Sequence, residues 1–424
     1  MKNQNLICLL VLNIFLTTAF AQQIDYGQTK EQIEFLNLQC LHERGFTGKG
    51  VTIAHFDDGY DGFDKMEVFK YAIEKDLLKG NYDFCFDTEI KYEGNGTHGT
   101  NTLSIVNGYL PGEYVGTGFD ANILLAHTEY TPSETHKEEE NWKRAVDWAI
   151  ENGADIITSS LQYNNFDEGE GNYTYKDMDG NTSVIAKAAD YAASKGVLVV
   201  AIQGNFGNSE WHYVATPGDA DSVLTVGAAG VDGQRAIFSS FGPTSDGRVK
   251  PDVMAVGFQT IVVDPDDNIR PGNGTSFAAP CVAGMVACLK QAHPNRSAME
   301  IITAVRQSAD RYLNPDIKEG YGFGVPDACK ADMILTEMDN NFGKSGLIQS
   351  DQLSYEIKKN KLFLTPKFEK SDFASMQLFD AAEQMIAESS KFKKKIKLKK
   401  LKKGNYVLKI KLKSGEVLVN NVLI

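Results

Sequence analysis

Short apolar runs recur along the chain, several of them preceded by an amphipathic stretch. Gly50-Val-Thr-Ile-Ala-His-Phe56 is a β-rich run that stops at Asp57-Asp58-Gly59, a turn sequence. Trp142 to Asn152 places Trp142, Ala145, Val146 and Ala149 on one helical face. Gly153 ends that stretch, and Ala154 to Leu161 follows as a strand. Ser183 to Lys195 reads as a second helix with Val184, Ala188, Tyr191 and Ala192 on one side, stopped by Gly196. Val197 to Ile202 and Val223 to Gly227 are strands without polar alternation. Strands that are apolar on both faces belong in a parallel sheet covered by helices. The alternation therefore predicts an α/β, doubly wound, mostly parallel domain. Ligands in such a domain bind beyond the carboxyl ends of the strands, so that is where chemistry is sought.

The pattern changes at both ends. Lys2, the apolar run Leu6–Leu16 and the small-x-small step Ala19-Phe20-Ala21 read as a signal peptide over 1–21, too short to span a bilayer as a stable helix. The mature chain is expected to begin near Gln22 and to leave the cytoplasm. Towards the C-terminus, Asn340 to Gly346 reads as a linker. Beyond it, Tyr406, Leu408, Ile410 and Leu412 alternate with Lys409, Lys411 and Lys413, the pattern of a strand with one wet face. The expected organisation is a leader (1–21), an α/β domain (22–342) and a small antiparallel β-sandwich (343–424).

Composition sharpens this division. Of 424 residues, 42% are hydrophobic and 23% charged, ordinary for a globular protein. Residues 341–424 hold 18 Lys and Arg against 8 Asp and Glu, and the remainder 25 against 48. A net charge of −13 argues against a general nucleic-acid binder. The Lys run 391–403 is interleaved by Ile396, Leu398 and Leu401 without aromatic platforms, which fits a solvated sheet face. Cys40, Cys85, Cys281, Cys288 and Cys329 follow the leader; an odd number leaves at least one unpaired, and all five read best as small buried hydrophobes. With no Cys-x-x-Cys motif, no metal site is expected.

Three element ends carry reactive groups. Asp57 closes its strand, His98 stands in Gly96-Thr-His-Gly-Thr-Asn101, and Ser276 opens an Ala-rich helix in Gly272-Asn-Gly-Thr-Ser-Phe-Ala-Ala-Pro280. Singly, each has a plain structural role: a turn Asp, a core His, an N-cap Ser. Together they are what a serine nucleophile requires, because Ser needs a base and the His needs a carboxylate to fix its tautomer. His55, two residues before Asp57 on the same strand face, is a competing histidine.

On these motifs the chain resembles the subtilisin-like serine peptidases, over roughly Gly45 to Met333. Val51–Asp61, His98–Gly108, Phe238-Ser-Ser-Phe-Gly-Pro243, Lys250-Pro-Asp-Val253 and Gly274-Thr-Ser-Phe-Ala-Ala-Pro280 each match a family segment. The resemblance implies a secreted serine endopeptidase with Asp57, His98 and Ser276 as its triad. It implies Asn205 as the oxyanion donor, Ser160-Leu161-Gln162 as the edge that pairs with a peptide, and Ile202-Gln203-Gly204 as the facing pocket wall. A catalytically impaired peptide-binding homologue is the alternative, suggested by departures at Asp58, Gln162 and Gln203; an ester hydrolase would use the same groups. Between Ala21 and Val51 there is no room for the pro-domain many members carry, so the enzyme is expected to fold without one or to be controlled otherwise. Asp167 to Thr182 reads as an acidic surface loop beside the cleft, and Asp177–Asn181 lacks the spacing of a calcium loop, so no cofactor is expected. The closing segment from Leu401 resembles the sorting module of the type IX secretion system, which implies secretion machinery as a partner beside protein or peptide substrates, with no transmembrane segment.

Overall fold

The computed structural model describes residues 24–342 and, in the C-terminal part, 353–358, 361–366, 369–379, 385–397, 405–413 and 417–423. The expected leader and the linker beyond 342 lie outside the described residues. Seven parallel strands form the central sheet: β1 (Thr52–Asp57), β2 (Leu78–Asp83), β3 (Asn122–His127), β4 (Ile156–Ser159), β5 (Leu198–Ile202), β6 (Val223–Ala229) and β7 (Val253–Val256), in the order β2-β3-β1-β4-β5-β6-β7. Strands β4 to β7 are buried along their whole length, as unbroken apolar runs require. Strand β3, from Asn-Ile-Leu-Leu-Ala-His, is an addition to the elements anticipated from the sequence.

Helices cover both faces. Helix α1 (His98–Asn107) and the Ala-rich α4 (Thr275–Ala292) contribute to the larger core cluster; α2 (His136–Glu151) and α3 (Val184–Ser194) contribute to the cluster on the other face. Helix α2 starts six residues earlier than its apolar period suggests. Thr135 and Glu138 form a capping box there, satisfying backbone N–H groups that the polar first turn would otherwise leave open. Its anticipated face holds, with Trp142, Ala145, Val146 and Ala149 all buried and the Trp142 indole donating to Ser159 Oγ at 2.9 Å. The face assigned to α3 is corrected. Ile185, Ala186, Ala189 and Ala192 point inward with Ala188, while Tyr191 is exposed, because the buried stripe is set by the small residues that let α3 pack closely against α2.

The Lys-Pro-Asp segment is structural. Asp252 is buried and accepts from Lys250 Nζ (2.9 Å) and the Thr225 amide (2.7 Å), and it pairs with Arg306 (2.7 Å). Two cations and an amide hold this carboxylate ionised; burial opposes ionisation, but Arg306 and Lys250 outweigh it and its pKa is lowered. Helix α5 (Ala298–Ser308) supplies Arg306, and α6 (Ala328–Phe342) closes the domain. Cys40 and Cys329 are paired across 289 residues, with 6.1 Å between their Cα atoms. Reading all five cysteines as small buried hydrophobes thus holds for Cys281 and Cys288, which are buried and free, but not for this pair or for Cys85, which is free and half-buried. A packing period does not reveal which distant thiols meet.

The tail forms antiparallel β structure. Leu353–Lys358, Lys361–Pro366 and Lys395–Lys397 make one sheet; Met385–Ser389, Phe373–Phe379, Asn405–Leu412 and Val417–Leu423 make a second. Leu362 and Leu364 of the first share a buried cluster with Tyr406, Leu408, Ile410 and Leu412 of the second. Among the described residues, no helix is long and apolar enough to cross a membrane.

Truncating Trp142 to Ala removes the side chain that joins α2 to β1 and β4, stacking edge-on to Phe56 at 5.4 Å. We expect a loss of about 3–5 kcal/mol, read as a lower urea midpoint at unchanged slope. A change under about 1 kcal/mol would show that this core layer collapses around the gap.

Candidate active site

Asp57 ends β1 with its carboxylate fully buried. Its Oδ1 accepts from His98 Nδ1 (2.6 Å) and the Asp58 amide (2.9 Å), and its Oδ2 from the Thr102 hydroxyl (2.8 Å). Burial alone would raise its pKa; the facing His98 overcomes this and lowers it. Bonded to Asp57 through Nδ1, His98 leaves Nε2 for the cleft, where its side chain is 34% exposed. Burial lowers the pKa of His98, but Asp57, then Asp58 and Glu129, raise it to about 9. Asp58 accepts from the Gly99 amide (3.1 Å), and burial beside Asp57 pushes its own pKa up to about 6.

The two glycines of the Asp-x-Gly and His-Gly-Thr motifs serve one contact. A Cβ on Gly99 would lie 2.3 Å from the Gly59 carbonyl oxygen and 2.9 Å from Asp57 Cβ. A Cβ on Gly59, whose φ is +136°, would lie 2.3 Å from the Asn95 carbonyl oxygen. Only bare backbone lets α1 start close enough for His98 to reach Asp57.

Ser276 sits in the first turn of α4, where backbone N–H groups lack helical acceptors. Its Oγ donates to the Ser160 carbonyl at 3.3 Å, and Ser160 Oγ donates to the Ser276 carbonyl at 2.9 Å. Ser276 and His98 line one cleft, with the hydroxyl turned to the Ser160 carbonyl at the end of β4 and no Ser–His hydrogen bond among the described residues. Such bonds commonly tighten only when substrate binds. Asn205 Oδ1 accepts from the Thr275 amide and hydroxyl, both at 2.9 Å, which leaves its Nδ2 as a donor without a partner among the described residues. The second Ser of the Phe-Ser-Ser motif braces this turn: Ser240 Oγ accepts from the Phe206 amide (2.9 Å) and the Ser240 amide donates to the Gly204 carbonyl (2.9 Å).

The cleft, of about 340 Å³, is lined by Asp58, His98, Ser160, Leu161, Gln162, Ile202, Asn205 and Ser276, and along one side by Glu129–Thr131, Ser133 and Glu134. Gln203 and Gly204 are not among its lining residues. Gln203 is buried, with neither amide atom hydrogen-bonded among the described residues. Gln162 does more than add bulk, because its Oε1 accepts from the Asn205 amide at 2.9 Å. The loop 167–182 contributes nothing to the lining; Asp177 and Asp179 are engaged within it by Thr174, Asn181 and Thr182. His55 is a core histidine whose Nε2 lies 3.2 Å from Thr102 Oγ1, with burial lowering its pKa to about 4. Sequence reasoning missed Thr102, Thr275, Glu129 and Glu134. The last two lie in the segment that follows β3, so naming Ile-Leu-Leu-Ala as a strand would have pointed to it.

Among the described residues, two groups of side chains could hold a metal ion. One is Asp57, Asp58 and His98 themselves; the other, formed by Asp83, Cys85 and His127 at the ends of β2 and β3, brings ligand atoms within 4.8 Å of one another. His127 Nδ1 lies 3.0 Å from Asp83 Oδ2, off the direction of a ring N–H bond. Spacing along the chain did not reveal this cluster, because its members come from two strands.

A parallel α/β sheet with a carboxylate-bound His and a helix-borne Ser at its strand ends defines a hydrolase of the serine type. The sequence model of the subtilase family matches residues 48–324, and the chain belongs to that family of serine proteases. It is 28% identical to subtilisin E of Bacillus subtilis (strain 168) over 309 residues, 72% of this chain and 70% of that protein. It is 28% identical to a subtilisin of Bacillus pumilus over 308 residues, 71% of this chain and 97% of that one. Among solved structures, MycP1 with its N-terminal propeptide removed superposes with a TM-score of 0.52 at 25% identity, covering 71% of this chain and 96% of that one. A cold-adapted subtilisin-like serine proteinase gives 0.52 at 21% identity, covering 66% and 90%.

The His98 ring should titrate near pH 9 in an NMR pH series. Replacing Asp58 by Asn removes a neighbouring negative charge, so the midpoint should move to lower pH. An unmoved midpoint would mean that Asp58 exerts no field on the ring.

Proposed function

We propose that the chain is a secreted endopeptidase in which Asp57, His98 and Ser276 form the catalytic triad. Ser276 Oγ attacks the peptide carbonyl carbon as His98 Nε2 takes its proton; His98 then passes that proton to the leaving amine, and water releases the acyl group by the same route. Asp57 holds the tautomer through its 2.6 Å bond to Nδ1, the observation that carries this reading. Asn205 Nδ2 and the Ser276 amide receive the developing oxyanion, with Thr275 fixing the Asn205 amide so that nitrogen, not oxygen, faces the cleft. Ser160–Gln162 is offered to an extended peptide as an added strand, with Ile202 on the facing wall. Export through the leader at 1–21 agrees with the Cys40–Cys329 pair, which persists in an oxidising compartment. The tail from 343 acts as the sorting module for outer-membrane passage by type IX secretion.

Full-length parent protein should cleave unfolded casein and take up a fluorophosphonate label, and Ser276→Ala should lose both. Asn205→Ala should lose about 10²–10³ in kcat, the size known for one oxyanion donor in a subtilisin. A folded parent showing neither signal overturns the reading and favours the peptide-binding alternative, for which the Ser276 rotamer would then speak.

The pH profile follows from His98. A base must be neutral to accept a proton, and a raised pKa keeps His98 protonated at lower pH, so kcat/KM should climb through about pH 9. A plateau already reached at pH 7 would exclude this protonation state for the free enzyme.

Deleting residues 343–424 should leave the peptidase inside the outer membrane of its host, measured by cell fractionation. Unchanged release would remove the sorting role.

A further inference from the structure

The acidic groups around the cleft divide by direction. Those facing away are engaged: Glu138 caps α2 through Thr135, Glu139 binds Tyr173 and pairs with His136, and Asp83 Oδ1 accepts from the Cys85 and Phe86 amides. Those facing in have no Lys or Arg partner among the described residues, and the cation near them is the protonated His98. Asp58, Glu129 and Glu134 all line the cleft, and no Lys or Arg does so among the described residues.

Glu129 is the most telling of the three. It is 9% exposed, and both its hydrogen bonds, from Tyr163 and from Thr128 (2.9 Å), go to Oε1. Oε2 has no partner among the described residues, although the side chain is otherwise enclosed. The Glu134 carboxylate likewise makes no hydrogen bond or ion pair among the described residues. A buried carboxylate that lacks a counter-charge is costly to ionise. Burial pushes Glu129 up to about 8, and burial with Glu138 and Asp167 nearby pushes Glu134 up to about 7. Tyr130, 44% exposed, stands between them in the sequence and adds aromatic surface over which an aliphatic stem or a cation can lie.

On the peptidase reading above, we propose that Glu129 and Glu134 form a specificity subsite for a cationic side chain, so that the enzyme selects peptides with Lys or Arg at one position near the cut. The substrate supplies a counter-charge where no Lys or Arg of the described residues does. An apolar side chain would leave Oε2 of Glu129 desolvated and unpaired, and an acidic one would add a further negative charge, so the discrimination is both attractive and repulsive.

The test has two arms. Parent protein digests a random-peptide library, and residue enrichment around the cuts is read by mass spectrometry. Ser276→Ala protein binds fluorescent peptides that differ only by Lys, Met or Glu at the enriched position, or at each position in turn where no cut occurs; affinity is read by anisotropy. Enrichment of Lys and Arg at one position is expected, with binding of Lys over Met by about tenfold, the size of one partly desolvated charge pair. The ratio should fall towards one in Glu129→Gln and Glu134→Gln. The first keeps an oxygen for Tyr163, and the second breaks no bond, so a folding defect in one leaves the other informative. Cutting without Lys or Arg enrichment, or enrichment kept in both variants, overturns the subsite and leaves the peptidase reading intact. Binding selectivity for Lys in a protein that cuts nothing supports the subsite and sinks the catalytic reading instead.

Discussion

A single desolvated carboxylate organises this molecule's working end. Asp57 is removed from water at the carboxyl end of a central strand, where an ion is tolerated only if its lone pairs are filled. Three donors from two segments fill them: the next backbone amide, the Thr102 hydroxyl and His98. Two of those donors stand on α1, one turn apart, so the helix must begin at one place and in one rotation. Its first turn can come that close only because two facing residues lack side chains. The geometry of the site thus follows from satisfying one buried charge, and the seven-stranded sheet fixes where that charge stands.

Much of the sheet was legible because its central strands, buried on both faces, cannot be anything but apolar. The motifs around Asp57, His98 and Ser276 were legible for a different reason: close backbone approach demands glycine, and the chemistry demands specific heteroatoms at the ends of elements. What stayed hidden is informative. The start of α2 is polar, so its apolar period appears late, and only the Thr135–Glu138 cap marks the true beginning. Tyr191 looked like a core residue by type, but α3 uses alanines for close packing and leaves the ring outside. Gln162 and Gln203 looked alike as bulky departures; one ties the Asn205 turn through its side chain, and the other is buried out of the cleft. Local pattern cannot separate them because their difference lies in which way a side chain leaves its strand end.

The wall contributed by residues 129–134 follows the same logic as the rest. A strand end delivers its next residues to the open edge of the sheet, and β3 is no exception. What distinguishes this wall is its charge. The α/β region is acidic as a whole while the tail is basic, yet the charges that bear on the cleft are a few groups with no Lys or Arg beside them among the described lining residues, not the overall excess. Screening by salt diminishes the latter far more than the former.

The pairing of Cys40 with Cys329 has a meaning beyond cohesion. A peptidase at high local concentration is surrounded by copies of its own surface loops. Any single nick between these two positions opens the chain but releases no fragment, since both pieces stay joined by a covalent bond and by the buried sheet. The enclosed segment holds every residue of the candidate site, so a clipped molecule keeps that whole constellation in one body, and wear at the surface need not become loss of the enzyme.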